Sequence, residues 1–186
     1  MAAAGAAAGE LSGRTVLELG ASLVVLTAAL LGASLAVLTD LPPLLPVLRV
    51  NAAANGVADR VQVRELVWGS AAGASPEETA DVVLLSDVFY DPAAMAPLAS
   101  TLRTVCREET RIWAASEVRE SIYSCPDLLK EEGCRRSELP AVNRRLLRSP
   151  EESSEFAVFI ISPPAPRGEG ASDHKVPAKM PQLKST

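Results

Sequence analysis

Short runs of apolar residues alternate with longer amphipathic stretches along most of this chain. Five runs are too short for helices and predict buried or half-buried strands, at residues 15–19, 34–39, 61–67, 81–86 and 111–116. The stretches between them predict helices over 23–31, 43–55 and 92–105. Strands that alternate with helices in this way are typical of an α/β fold with a mostly parallel sheet.

The end of the apolar pattern departs from this alternation. A further helix is predicted to end at Gly133, and segments 134–139 and 156–161 predict two last strands with no strong helix between them. Such strands pair as an antiparallel hairpin, which we place at the edge of the sheet. The predicted fold class is therefore α/β, a Rossmann-like, doubly wound and mostly parallel seven-stranded sheet with an antiparallel C-terminal hairpin.

Composition separates the two ends of the 186-residue chain from the part between them. Residues 1–13 begin as almost pure alanine and glycine and predict a flexible Ala-rich leader. Residues 163–186 carry five prolines and few large apolar side chains, which predicts a disordered Pro-rich tail. Residues 14–162 are left as a single predicted domain, long enough to bury a core.

A rival interpretation of residues 19–39 is a membrane span, because this run holds no charged side chain and is rich in leucine, valine and alanine. Four glycines and serines interrupt it, Asp40 closes it, and neither end carries a cluster of lysine or arginine. The same run divides readily into strand, helix and strand. We therefore expect no membrane association.

Charge and composition narrow the function classes. The net charge of −5 gives no reason for a polyanionic partner, so no nucleic acid is expected. Three cysteines with no close pair argue against a disulfide framework or a metal cluster and suit a reducing compartment, so we expect a cytoplasmic protein, with the nucleus as the alternative. The one histidine, His174, lies in the predicted tail, and the arginines between 135 and 148 are interpreted as a solvated surface.

The predicted strand ends indicate where a ligand binds. In doubly wound sheets, ligands bind beyond the carboxyl ends of the strands, where the strand order reverses. That rule groups four places along the chain: Gly20, Asp40, Trp68 and the pair Ser86-Asp87. Asp40 follows Gly20 by 20 residues, the spacing at which dinucleotide folds bind ribose hydroxyls. The alternative for Asp40 is a turn residue that caps its own backbone.

Two aromatic residues lie near the same strand ends. Trp68 could lie against an adenine, and the alternative is a partly buried core aromatic. Asp87 and Tyr90, three residues apart, can line one pocket wall and attract an ammonium group. The alternative for this pair is a capping aspartate beside a packing tyrosine.

Several segments together resemble a known family. They occur in the order Val16-Leu-Glu-Leu-Gly20, Thr39-Asp-Leu-Pro42, Leu66-Val-Trp-Gly69 and Leu85-Ser-Asp-Val-Phe-Tyr-Asp-Pro92. This set resembles the seven-strand class I methyltransferases that use S-adenosylmethionine, and within them the methyltransferase-like 21 group of protein-lysine methyltransferases. The last segment carries the Asp-x-x-Tyr motif of that group. The likeness covers residues 16–120 well and residues 121–162 in outline.

The resemblance implies an S-adenosyl-L-methionine-dependent transfer of methyl groups to lysine in a protein substrate, by a monomer. It implies four cofactor-binding residues: Gly20 under the methionine part, Asp40 on the ribose, and Trp68 and Ser86 at the adenine. It implies two catalytic residues at the entrance for the acceptor lysine, Asp87 and Tyr90. The activated methyl group needs little beyond alignment with a neutral amine.

Two departures from the family carry other hypotheses. The glycine-rich turn after the first strand reads Gly20-Ala-Ser-Leu-Val-Val-Leu26 here, about two residues short, and a tryptophan-bearing segment before that strand has no counterpart in residues 1–14. These departures motivate the second hypothesis, a catalytically inactive relative that acts as a binding module. A third, a nicotinamide-dependent oxidoreductase, fits the position of Asp40 but lacks the Gly-x-Gly-x-x-Gly motif.

Overall fold

One seven-stranded sheet with helices on both faces organises the chain. The computed structural model describes residues 9–20, 24–70, 79–118, 120–138 and 156–164. The strands are β1 (Thr15–Leu19), β2 (Leu35–Asp40), β3 (Val61–Glu65), β4 (Ala80–Ser86), β5 (Cys106–Glu117), β6 (Arg135–Glu138) and β7 (Phe156–Ser162). The helices are α1 (Val24–Leu30), α2 (Leu45–Ala54), α3 (Met95–Val105) and α4 (Ser121–Glu131), and 3-10 turns at Pro42–Leu44 and Pro92–Ala94 lead into α2 and α3.

The strand order is β3-β2-β1-β4-β5-β7-β6. Strands β1 to β5 are parallel to one another. Strand β7 runs antiparallel to β5, and β6 runs antiparallel to β7. The order reverses between β1 and β4, so the switch point lies between their carboxyl ends. The predicted fold class, including the antiparallel hairpin at the edge, is confirmed.

The sheet buries side chains on both faces, which explains its nearly continuous apolar strands. Helices α1 and α2 cover one face, where Val16, Val82 and Leu84 point from the sheet. Helices α3 and α4 cover the other face, where Val83 and Leu85 point. Successive residues of β4 thus alternate between two separate apolar clusters, as strand geometry requires.

Two strand boundaries differ from the sequence predictions by two residues or more, and several others differ by one residue. Strand β3 ends at Glu65 rather than at Val67, because the chain turns there after one more hydrogen bond, from Leu66 N to Asp40 O. Strand β5 begins at Cys106 rather than at Arg111, directly after α3. The polar residues at its start form a bulged segment, in which the Thr110 hydroxyl donates to Ala80 O at 2.6 Å.

The apolar run considered as a membrane span folds as the end of β1, the seven-residue helix α1 and β2. Among the described residues, no helix is long and apolar enough to cross a membrane. Of the predicted leader and tail, residues 1–8 and 165–186 lie outside the described residues. Glu10 forms an ion pair of 2.8 Å with Arg111 of β5, and Gly13 N donates to Gly32 O at 2.8 Å. The domain boundaries stay predictions.

Candidate functional site

A cavity of about 560 Å³ lies at the carboxyl ends of β1, β2 and β4, beside the switch point. All six residues predicted from the sequence line it: Gly20, Asp40, Trp68, Ser86, Asp87 and Tyr90. They come from strand ends that lie up to 70 residues apart in the chain, and the sheet brings them together. Residues 21–23, the rest of the first turn, lie outside the described residues. The individual roles stay predictions.

Gly20 directly follows β1 and adopts a backbone conformation that favours glycine. Its φ is +92°, and its N–H donates to Thr39 O on β2 at 3.2 Å. A Cβ at this position would lie 3.5 Å from Trp68 Cζ2 and 3.8 Å from Val88 Cγ1, two residues that line the cavity. Glycine therefore keeps the backbone unstrained and leaves open the space between these side chains.

Glu18, two residues earlier, is a functional candidate that the sequence analysis missed. It is fully buried within β1, and its carboxylate accepts a hydrogen bond from Val25 N in the first turn of α1 at 3.2 Å. Its carbonyl accepts the Thr39 hydroxyl at 2.6 Å. A carboxylate at a helix start satisfies backbone N–H groups that the helix leaves unpaired. The signal in the sequence is a single charged residue inside an apolar strand.

Asp40 is a turn residue that also lines the cavity, and its role towards a ribose stays a prediction. Its Oδ1 accepts the N–H of Leu41 at 2.6 Å, and its carbonyl accepts Leu66 N, so it shapes the turn after β2. The same residue lines the cavity, next to the exposed side chains of Leu41 and Leu44. Its carboxylate is thus fixed by the backbone at the end of the strand that a ribose-binding aspartate occupies.

Trp68 lies in the turn that follows β3 and is likewise both a cavity residue and a core residue. Ser70 N donates to Val67 O at 3.0 Å, which closes the turn around Trp68 and Gly69. The indole is partly buried against the cluster on the α3 and α4 face. It therefore forms part of the cavity wall and packs against the core at the same time.

Asp87 adopts a left-handed backbone conformation, with a φ of +53°, which is uncommon for a residue other than glycine. Its N–H donates to Ala115 O at 2.7 Å, and its Oδ1 accepts Glu117 N at 3.4 Å. These bonds tie the end of β4 to the end of β5. Strained residues of this kind cluster at binding sites, where the surrounding structure holds them in place.

Tyr90 lies at the mouth of the cavity, and its side chain is 59% exposed. Both of its neighbours are anchored. Phe89 is buried edge-to-face against Phe159, with ring centroids 5.7 Å apart, and Asp91 accepts the N–H of Ala93 at the start of the next turn. The segment around Tyr90 is therefore held on both sides while its ring faces solvent.

The cavity has an anionic character. Its ionisable side chains among the described lining residues are Asp40, Asp87 and the phenol of Tyr90, with no lysine, arginine or histidine. Most of the remaining wall is apolar: Leu41, Leu44, Leu66, Val67, Val88, Ala94 and Pro97. Apolar residues at these positions carry no chemical signature, so they could not be singled out from the sequence. Such a site suits a ligand with an apolar ring, hydroxyl groups and a positive charge.

The fold places the protein in a class of methyltransferase-like α/β proteins. The mitomycin 7-O-methyltransferase MmcR superposes with a TM-score of 0.63 at 17% identity, over 86% of this chain and 52% of that one. The ribosomal protein L11 methylase of Lactobacillus delbrueckii subsp. bulgaricus superposes with a TM-score of 0.58 at 15% identity, over 82% of this chain and 71% of that one. At such identities the likeness shows the fold.

The sequence identifies the family within this class. Residues 1–125 match the model of the lysine methyltransferase family, and the chain belongs to that family. The protein N-lysine methyltransferase METTL21A of Danio rerio is 35% identical over 115 residues, which make up 59% of this chain and 52% of the relative. The EEF1A lysine methyltransferase 3 of Xenopus tropicalis is 33% identical over 114 residues, 60% of this chain and 50% of the relative. The predicted resemblance is confirmed.

The chain spans about half the length of these two curated relatives. A third relative, the histone-arginine methyltransferase METTL23 of Homo sapiens, is 32% identical over 130 residues, 64% of this chain and 66% of the relative. Family membership rests on residues 1–125, the region that holds the residues lining the cavity, whereas the fold likeness extends over most of the chain.

Proposed function

We propose that this protein transfers a methyl group from S-adenosylmethionine to a lysine side chain of another protein. The observation that carries the proposal is the cavity at the switch point, in a chain that belongs to the lysine methyltransferase family. The cofactor has an adenine, a ribose diol and a sulfonium cation. The apolar wall, the Asp40 carboxylate and the anionic lining suit these three parts in turn.

The lining also separates this proposal from the oxidoreductase hypothesis. A nicotinamide dinucleotide carries a pyrophosphate, which needs backbone N–H groups or cationic side chains around it. The described lining offers two carboxylates and no cationic side chain. Repulsion between these carboxylates and a pyrophosphate would weaken binding, whereas a sulfonium gains from the same charges.

Within the proposal, each residue of the chain has a task. Gly20 leaves space for the cofactor, and Asp40 accepts hydrogen bonds from the ribose hydroxyls. Asp87 and Tyr90 attract the acceptor at the mouth of the cavity, through a carboxylate and an aromatic face. When bound, the cofactor supplies an activated methyl group, which leaves sulfur as the new bond to nitrogen forms and the amine releases a proton.

Calorimetric titration with S-adenosylhomocysteine tests the cofactor site. We expect saturable binding by the wild-type chain and a Kd about tenfold higher for Asp40→Asn, the loss expected for a charge-assisted hydrogen bond. Asp59→Asn is the matched control, because the Asp59 side chain is 80% exposed in a loop remote from the cavity lining. Absence of binding by the folded wild-type chain would support the hypothesis of an inactive binding module.

Transfer of tritium from labelled S-adenosylmethionine into cell proteins tests the reaction. Acid hydrolysis of the labelled protein then identifies the methylated amino acid. Methyl-lysine that depends on Asp40 supports the proposal. The likeness to a histone-arginine methyltransferase makes methyl-arginine the second candidate product, and its appearance alone would replace lysine as the acceptor.

A further inference from the structure

The wall of the cavity that contains Trp68 is built from two pieces of chain. One piece is the turn from Val67 to Ser70, and the other is the start of α3, which contributes Pro97. Neither piece is held to the other by a strand ladder, because β3 has already ended at Glu65. The position of Trp68 in the cavity therefore depends on contacts between the turn and the helix.

Close packing provides one of these contacts. Gly69 has a φ of +79°, and a Cβ at this position would approach Pro97 Cβ to 3.1 Å and Pro97 Cα to 3.2 Å. These distances are shorter than ordinary carbon contacts, so only glycine lets the turn lie so near the helix. This close packing places Trp68 next to Gly20, where a Cβ would lie 3.5 Å from Trp68 Cζ2.

A single buried hydroxyl provides the directional contact. Thr101 is 3% exposed, and its Oγ1 accepts the N–H of Gly69 at 2.9 Å. The same hydroxyl donates its own proton to Pro97 O at 3.2 Å. The one side chain thus connects the turn to the first part of α3 and satisfies both backbone groups.

We propose that Thr101 is a positioning residue that holds Trp68 in the wall of the cavity and thereby sets the affinity for the cofactor. Thr101 is not among the residues that line the cavity and acts through Gly69 and Trp68. The inference rests on the proposed function for its effect on affinity. The effect on the environment of Trp68 follows from the geometry alone and can be measured without any ligand.

The test compares Thr101→Val, which keeps the shape but removes the hydroxyl, with Thr101→Ser, which keeps the hydroxyl. We expect Thr101→Val to raise the Kd for S-adenosylhomocysteine about tenfold, since a buried N–H loses its acceptor and the turn relaxes. Thr101→Ser should stay near the wild-type value. Thr104→Val is the matched control, because the Thr104 hydroxyl makes the same kind of bond, to Ser100 O within α3.

A spectroscopic measurement separates positioning from general loss of stability. The chain has two tryptophans, so Trp113→Phe leaves Trp68 as the sole tryptophan, which is excited selectively at wavelengths that tyrosine does not absorb. In this background, Thr101→Val should increase quenching of Trp68 by acrylamide, and Thr101→Ser should not. Where kinetics can be measured, we expect the KM for the cofactor to rise while kcat changes little, as for a lost contact that binds ground state and transition state equally.

Unchanged acrylamide quenching together with an unchanged Kd in Thr101→Val would overturn the proposal. If the wild-type chain binds no S-adenosylhomocysteine, the proposed function fails, while the quenching result still decides whether Thr101 positions Trp68. If Thr101→Val does not fold, amide hydrogen exchange of the wild-type chain takes its place. Slow exchange of the Gly69 N–H then supports the bond to Thr101, and exchange as fast as in an open loop contradicts it.

Discussion

The two faces of the sheet are filled in different ways. The face under α1 and α2 is packed largely by small side chains, among them Ala28, Ala29 and Ala36. The face under α3 and α4 holds most of the largest fully buried side chains: Phe159, Leu19, Leu85, Met95, Leu98, Leu102, Ile112, Ile122, Leu129 and Ile161. Hydrophobic stabilisation scales with buried apolar area, so the second face contributes more of it.

This difference has a consequence for the candidate site. The turn at Trp68 and the segment around Tyr90 both attach to the face with large side chains, through Pro97 and Phe89. Gly20 lies next to Trp68 in the cavity, at the point where the chain leaves β1 towards the short helix α1. An extensive core thus supports the turn at Trp68 and the segment around Tyr90, whereas Gly20 connects the cavity to the face with smaller side chains.

Truncation on the α3 face should give the largest loss of stability. Leu98 is fully buried in the middle of α3. We expect Leu98→Ala to lower the free energy of unfolding by about 2–5 kcal/mol, through lost apolar burial and the cavity left behind. Urea denaturation measures the change. Val50→Ala on α2 is the control, because Val50 is 64% exposed and its truncation should cost less than about 0.5 kcal/mol. Similar losses in the two variants would show that Leu98 contributes no more to stability than an exposed side chain does.

Enlargement on the α1 face should give the next largest loss. Ala29 is fully buried where α1 packs against the sheet. We expect Ala29→Leu to destabilise the protein by about 1–3 kcal/mol, because the close contact leaves no room for three more carbon atoms. Leu30→Ala, at the neighbouring position that is 57% exposed, is the control and should change the urea midpoint little. A stabilised Ala29→Leu variant would show that this layer contains unfilled space.

Most of the fold could be predicted from the sequence because each buried strand appears as an apolar run. The errors lie where apolar character and strand pairing do not coincide. Strand β5 extends back through charged residues to Cys106, since its first residues pair along a bulge that faces solvent. Conversely, Val67 continues the apolar run of β3 but follows the turn out of the sheet.

The candidate site was predictable for a different reason. The rule that ligands lie at strand ends needs only the position of each strand, and it grouped five of the six predicted residues that line the cavity; Tyr90 was added by its spacing from Asp87. Glu18 and Thr101 escaped it because Glu18 is buried within β1 and Thr101 within α3, and their importance depends on partners that only the fold identifies. Spacing in the sequence does not indicate that Glu18 contacts Val25 or that Thr101 contacts Gly69.

Replacement of the buried carboxyl group in β1 should affect the α1 side more modestly. We expect Glu18→Gln to cost about 1–2 kcal/mol, because an amide nitrogen that cannot accept hydrogen bonds replaces one carboxyl oxygen while the shape stays nearly the same. Thermal unfolding measures the change. Glu65→Gln, at an exposed position of β3, is the control. An equal effect of the two substitutions would mean that the Glu18 carboxyl group does not support the start of α1.

A further expected effect is a dependence of stability on alkaline pH, and it concerns the α3 face. All three cysteines lie there, and burial raises the pKa of Cys106 to about 12, that of Cys134 to about 11, and that of Cys125 above its usual value. The unfolded thiols ionise near pH 8.5, so above this pH the unfolded chain loses protons that the folded chain keeps. Stability is therefore fully present below pH 8.5 and falls as the pH rises towards the folded values.

Urea midpoints between about pH 7.5 and pH 9.5 measure this dependence, a range that lies below the titration of most tyrosines and lysines. A variant with all three cysteines replaced by alanine is less stable at every pH, since it loses buried sulfur, so the slope against pH is compared rather than the midpoint itself. We expect a shallower fall in the variant than in the wild-type chain. Equal slopes would show that the thiols ionise as readily in the folded protein as in the unfolded chain, and that the α3 face admits water at these positions.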